Sequence, residues 1–312
     1  MLDILAVGEI LIDLTQTGTT QQGIPHYDAN PGGAPANLAV AASRLGARTG
    51  FAGKVGADSF GTFLRECLEE NGVDVRGLMT DAVQHTTLAV VSVDAAGERS
   101  FSFYRDPSAD VNLRVEDILP EQLQSTRILH FGSVSLTSEP ARSATLHAAR
   151  TARQLGAVIS YDPNYRAALW PDQETAVARM LEPLELVDIL KVSEEELPLL
   201  TGTEDLGTGC AILAEKGISL IFVTLGPDGA FYRFRGQTGH VDGAACKVAD
   251  TNGAGDTFFG AALSQLVKHE RLEDITSAEL ERIIAFANKA ASLTTSRRGA
   301  IPAMPTLEEV SG

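Results

Sequence analysis

Five short apolar runs, each stopped by a turn or a charge, limit this chain to very few folds. They are Ile4-Leu5-Ala6-Val7, Ile128-Leu129-His130-Phe131, Ala157-Val158-Ile159-Ser160, Ile189-Leu190-Lys191-Val192 and Leu220-Ile221-Phe222-Val223. Runs of this length, apolar on both sides, read as strands buried on both faces. Between them lie stretches of helical period, such as residues 143–155 and 206–216. Strand and helix in alternation predict crossover units, hence a largely parallel sheet covered by helices on both faces. The 312 residues allow about two domains at roughly 150 residues each, or one α/β domain with an appendage. No run approaches the length needed to span a bilayer. The start, Met1-Leu2-Asp3-Ile4, has no basic stretch before its apolar run, so no secretory signal is expected.

Two places leave this rhythm. Residues 88–105 hold two alternating runs around Asp94-Ala95-Ala96-Gly97-Glu98, which predicts a β-hairpin. Residues 10–31 read as strand and turn. Together, about 10–31 and 88–108 predict a small antiparallel sheet inserted in a single domain spanning 1–312. Phe101, Phe103 and Arg105 share one strand face. That face suits a ligand lid or a partner surface. Periodicity alone favours packing on the core, with Arg105 at the wet end.

Composition removes several function classes. Lys and Arg number 25 against 41 Asp and Glu, a net charge of −16. Such a chain repels polyphosphate backbones, so nucleic acid is not an expected partner. A site for a small anion must therefore bring its own local donors. Cys67, Cys210 and Cys246 are scattered and odd in number, which predicts no disulfide framework and a reducing, cytoplasmic setting. HExxH, GxSxG, GxxxxGK[ST] and GxGxxG patterns are all absent from the sequence.

Four segments carry candidate chemistry. In Asp250-Thr251-Asn252-Gly253-Ala254-Gly255-Asp256-Thr257-Phe258-Phe259-Gly260, small residues open a helix, and Cys246-Lys247-Val248 reads as a strand entering it. Backbone N–H groups at such a start suit an anion whose charge grows during transfer. Asp256 falls in the first turn, as a cap or beside that anion. In Asn30-Pro31-Gly32-Gly33-Ala34-Pro35-Ala36-Asn37, Pro35 suits the first helical position. The glycines admit a ligand close to backbone, and Asn37 offers donors and an acceptor. Asp13 ends the strand Gly8-Glu9-Ile10-Leu11-Ile12-Asp13, as a surface acid or as an acceptor for two sugar hydroxyls. Thr224-Leu225-Gly226-Pro227-Asp228-Gly229 is a turn at a strand's carboxyl end, where open parallel sheets bind ligands.

Taken jointly, these segments resemble the ribokinase-like, or phosphofructokinase B, family of carbohydrate kinases over nearly the whole chain. Residues 32–61, with Gly53-Lys54-Val55-Gly56-Ala57-Asp58-Ser59-Phe60-Gly61, are similar to its N-terminal signature, and residues 250–260 to its C-terminal one. Residues 8–13, 103–110, 160–171 and 298–305 resemble the fructokinase branch most. The runner-up branch phosphorylates 2-keto-3-deoxygluconate.

The resemblance implies an α/β ribokinase-like fold with a small β-sheet lid, and transfer of the ATP γ-phosphoryl group to a ketose hydroxyl, giving fructose 6-phosphate from D-fructose. It implies Asp256 as base, with Gly253, Ala254 and Gly255 as anion hole. It implies Asp13, Gly32, Gly33, Asn37, Phe103, Arg105, Arg166 and Asp256 around the sugar. Asn164, Arg166, Lys191, Ser193, Thr224, Gly226, Gly229, Gly253, Gly255 and Asn288 would surround the nucleotide. The family's Asn-x-x-Glu pattern stands here as Ser193-Glu194-Glu195-Glu196, which implies Mg2+ held through water by Glu196. A K+ loop is implied at Asp250, Asn252, Thr294 and Gly299, and a homodimer through the lid. Two other readings are a catalytically silent sugar or nucleotide binder, which the retained Asp256 opposes, and a nicotinamide dehydrogenase, which the missing glycine fingerprint opposes.

Overall fold

A computed structural model describes residues 1–93 and 99–312. The hairpin turn expected at residues 94–98 lies outside them. In chain order the described strands are β1 (Leu2–Val7), β2 (Leu11–Thr19), β3 (Pro25–Gly32), β4 (Thr49–Gly56), β5 (Asp74–Asp81), β6 (Leu88–Val93) and β7 (Arg99–Tyr104). They continue as β8 (Thr126–Gly132), β9 (Val158–Asp162), β10 (Ile189–Ser193), β11 (Leu220–Thr224), β12 (Ala230–Phe234) and β13 (Gln237–Val241). The large sheet runs β13-β12-β11-β10-β9-β8-β1-β4-β5. It is parallel from β11 to β5, with β12 and β13 antiparallel at one edge.

Both faces of the large sheet are covered, which is why its strands read as unbroken apolar runs. Leu5 and Val7 of β1 pack with Leu129, Ile159 and the helix Ala141–Gln154. Ile4, one residue out of phase, packs with Ile128, Phe222 and the helices Ala254–Leu266 and Ser277–Thr295.

The small sheet runs β3-β2-β6-β7. Its outer pairs are antiparallel, but β2 and β6 run parallel, so the sheet is mixed rather than purely antiparallel. The chain enters it twice from the large sheet, so β2 and β6 leave in the same direction. The second half of the N-terminal signature fastens one of these exits. Asp58 accepts from Gly61 N at 2.8 Å and Thr86 N at 2.9 Å, and Gly56 N donates to Thr86 Oγ1 at 3.0 Å.

Two sequence expectations shift here. The first strand ends at Val7, and Asp13 sits three positions into β2, because Gly8 (φ 150°) turns the chain out of the large sheet. Cys246-Lys247-Val248 forms no strand and is exposed, since it runs along the surface past β13. Among the described residues no helix is long and apolar enough to cross a membrane.

Candidate active site

The parallel strand order reverses around β1, between β4 and β8. Ligands of open α/β sheets bind at such a switch, beyond the carboxyl ends of the strands. A cavity of about 1300 Å3 lies there, roofed by β2, β3 and Phe103 of β7.

Asp256 is placed by a helix pair. The helices Ala34–Arg44 and Ala254–Leu266 touch at Gly260, where a Cβ would come 2.8 Å from the Leu38 carbonyl oxygen. A larger residue would push the helices apart and separate Asn37 from Asp256. As built, Asn37 Nδ2 donates to Asp256 Oδ2 at 2.8 Å, and Asn164 Nδ2 donates to Asp256 Oδ1 at 3.0 Å. Asn164 reaches in from a left-handed conformation (φ 46°), which its own N–H bond to Asp162 Oδ1 (3.1 Å) supports. Asp256 is buried, and burial pushes its carboxyl above the usual range against the pull of Asn37, Lys191, Arg166 and Asn164.

Gly253 caps the helix in the left-handed region (φ 75°), and Gly253 and Gly255 line the cavity beside Asp256. Ala254 does not. Its N–H turns back to the Thr251 carbonyl at 3.3 Å, so the amide expected in the anion hole is already engaged. A Cβ on Gly255 would stand 3.1 Å from Lys191 Nζ, so glycine there lets the ammonium reach the helix start. Lys191 is also paired with Asp162 at 3.0 Å, both side chains buried. Burial alone would favour the neutral amine, but Asp162, Glu196 and Asp256 together hold Lys191 above its ordinary value.

The other end of the cavity is acidic. Glu9, Leu11 and Asp13 line it together. Burial raises Asp13 to about 6, opposed chiefly by Asn252 and Arg166, and raises Glu9 to about 7. Gly33 lines the cavity, whereas Gly32 lies beneath Asp13: a Cβ on it would collide with the Asp13 carboxylate. Gly32 thus makes room for the contact instead of making it.

Arg166, Ser193, Glu196, Thr224, Gly226, Asp250, Asn252 and Gly299 also line the cavity. Glu196 accepts Tyr165 N at 2.6 Å and Ser193 N at 2.8 Å. Asp250 accepts Asn252 N at 3.0 Å and Gly299 N at 3.2 Å, joining the two loops.

Four more expected site residues lie off the cavity. Arg105 is not at a wet end. It is buried, bonded to Asp110 at 2.7 Å, Thr137 at 2.6 Å and the Val134 carbonyl at 3.0 Å. Asn288 donates to the Val241 and Asp242 carbonyls at 3.0 Å each and so fixes the end of β13. Gly229 turns the chain against Val241 and Gly243. Thr294 gives its hydroxyl to Thr257 at 3.0 Å, and its carbonyl accepts Arg297 N at 3.0 Å.

Sequence reasoning missed Glu9, Asp162 and Arg298. Asp162 ends a parallel strand at the carboxyl edge, and that position was the available signal.

The pfkB family carbohydrate kinase model matches residues 1–307. A probable fructokinase of Arabidopsis thaliana is 42% identical over 311 residues, covering 98% of this chain and 95% of the relative. A fructokinase from Xylella fastidiosa with bound ATP superposes with TM-score 0.92 at 34% identity, covering 99% and 97% of the two chains. A fructokinase double mutant from Vibrio cholerae, solved with fructose, ADP and potassium ion, gives TM-score 0.90 at 37% identity, covering 100% and 97%.

Proposed function

The chain belongs to the pfkB family of carbohydrate kinases, and from that premise we propose that it transfers the γ-phosphoryl group of ATP to D-fructose, giving fructose 6-phosphate. One observation carries the reading. A buried carboxylate, Asp256, is held by two amides at a glycine-opened helix start, in one cavity with the acidic sugar-facing end and Lys191. Asp256 takes the proton of the attacking hydroxyl. Its raised pKa brings it nearer the working pH, where a base is most effective. The Gly253 and Gly255 segment and Lys191 face the transferring phosphate. Asp13, Gly33, Asn37 and Phe103 surround the sugar, with Arg166 at the phosphate side. Thr224, Gly226, Ser193 and Asn164 take the nucleotide end. Arg105 supports the sugar end from behind, through its bond to the Val134 carbonyl. The fructose assignment is supported by the relatives named above. An ADP-release assay over a ketose and sugar-acid panel tests it. Fructose should have the highest kcat/KM, and preference for 2-keto-3-deoxygluconate would overturn the choice of sugar.

Metal ions fit this cavity to different degrees. Among the described residues no cluster of three or more His, Cys, Asp or Glu forms a metal cage. Glu196 uses both oxygens on backbone N–H groups yet faces the cavity. That suits Mg2+ carried on the nucleotide phosphates and held through water, the usual mode for this ion. When bound, Mg2+ neutralises phosphate charge. The loops joined by Asp250 suit K+ through Asn252 and the Gly299 region, with Thr294 outside that set.

Replacing Asp13 by alanine is expected to weaken fructose binding about 10- to 100-fold, the range for losing a charged hydrogen-bond acceptor. Asn37→Ala should weaken binding similarly and also slow turnover, since Asn37 holds Asp256. Calorimetry on both variants checks this, and unchanged fructose affinity would remove both residues from the sugar site.

We read the small sheet as a lid that closes on sugar and excludes water from the phosphoryl group. Amide exchange in β2 and β6 should slow when fructose is added; unchanged exchange would make the sheet a fixed wall. Tyr27 and Tyr104 stand exposed on this sheet, with Ile24 exposed in the turn before β3, the face we assign to a homodimer. Sedimentation should give twice the chain mass, and a monomer would reject the assignment. We assign the chain to a reducing, cytoplasmic setting on its scattered, odd-numbered cysteines.

A further inference from the structure

We propose that Glu9 is a sugar-contacting residue: Oε2 accepts a hydrogen bond from a ketose hydroxyl while Oε1 fixes the glycine turn beside it. The inference rests on the kinase reading above and adds a contact to its sugar site.

Glu9 follows β1 at the strand switch and is 3% exposed. Its Oε1 accepts Ala34 N at 3.1 Å. A Cβ on Gly33 would stand 2.6 Å from the Glu9 carbonyl oxygen, so backbone and side chain both cradle this turn. The carboxylate also draws on Glu9's own backbone N–H, but Oε2 accepts from no other residue among those described, although the side chain lines the cavity with Leu11 and Asp13. A buried carboxyl oxygen left unpaired is costly, and native sites seldom leave one. Arg105 eases this charge only through space. Arg105 spends its guanidinium on Asp110, Thr137 and the Val134 carbonyl.

A second atom tells the same story. Asn37 gives its Nδ2 to Asp256, and its Oδ1 is likewise buried and unpartnered. Two acceptors flank the Gly33 and Ala34 turn, both on cavity-lining residues. Acceptors without donors call for a ligand that brings several hydroxyl protons, which a ketose does.

Glu9→Gln tests this directly, because its amide oxygen can still accept Ala34 N–H while the second position loses its acceptor. The sugar KM is expected to rise about tenfold, with the KM for ATP unchanged. A panel of monodeoxy sugars then separates contact from scaffolding. One member should bind the wild type about tenfold worse than its parent sugar, yet show no such penalty with Glu9→Gln. Glu9→Ala, read through the same ratios, cancels any general loosening of the turn. An unchanged sugar KM in Glu9→Gln, or identical deoxy ratios in wild type and variants, would overturn the proposal. Fructose itself is judged on the wild type alone. Glu9 is judged on whichever sugar the wild type turns over fastest, so the two failures stay distinct.

Discussion

Asp256→Asn is expected to fold, to bind ATP as the parent does, and to lose about 100- to 10,000-fold in turnover, the usual contribution of a general base. The change keeps the shape but removes the proton acceptor. It also turns one carboxylate oxygen into an N–H donor facing an amide. Asn37 can absorb that change by flipping, because no protein group bonds its own oxygen, at the cost of the acceptor it offers the sugar. Structural damage is therefore small, and the loss reports on chemistry. The effect should fall on kcat and kcat/KM together, the sign of an interaction made in the transition state. Turnover near the parent rate would reduce Asp256 to a structural anchor for Asn37 and Asn164.

Lys191→Met is expected to destabilise the fold by about 3–5 kcal/mol, the cost of stranding one partner of a buried ion pair. At this chain size that lowers Tm by on the order of 10 °C. The stranded group is Asp162, 2% exposed. Burial pushes its carboxyl up, and Lys191 supplies the main opposing pull. Without that pull its folded pKa rises further above the unfolded value near 4. The folded variant then holds a proton that the unfolded chain releases, so stability is lost as pH rises through that window. Thermal unfolding at pH 5 and pH 8 should show the gap to wild type widening at pH 8. A gap that stays constant or narrows would mean that Asp162 is not the stranded group.

Much of the large sheet was legible because burial on both faces leaves unbroken apolar runs. Ile189–Ser193 and Leu220–Thr224 follow their predicted runs to within a residue. β4 was not legible. Its sequence, Thr-Gly-Phe-Ala-Gly-Lys-Val-Gly, reads as a loop by composition. Those glycines serve packing: a Cβ on Gly53 would meet the Gly8 carbonyl oxygen at 2.5 Å.

The site divides in the same way. Asp256 and Asn37 were legible from local turn chemistry, since each sits in the first turn of a glycine-opened helix. Arg105 was not, because its partners Val134 and Thr137 arrive from a distant loop. Nor was Asn288, whose acceptors lie 46 and 47 residues away. Sequence spacing reports the first turn of a helix well and tertiary hydrogen bonding poorly.

Identification of the product by 31P and 13C NMR tests the account most directly. Wild-type enzyme with ATP, Mg2+ and D-fructose should convert ATP to ADP in step with a phosphate ester at the sugar's O6. An ester at O1, or ADP formed with free phosphate and no sugar ester, would contradict it.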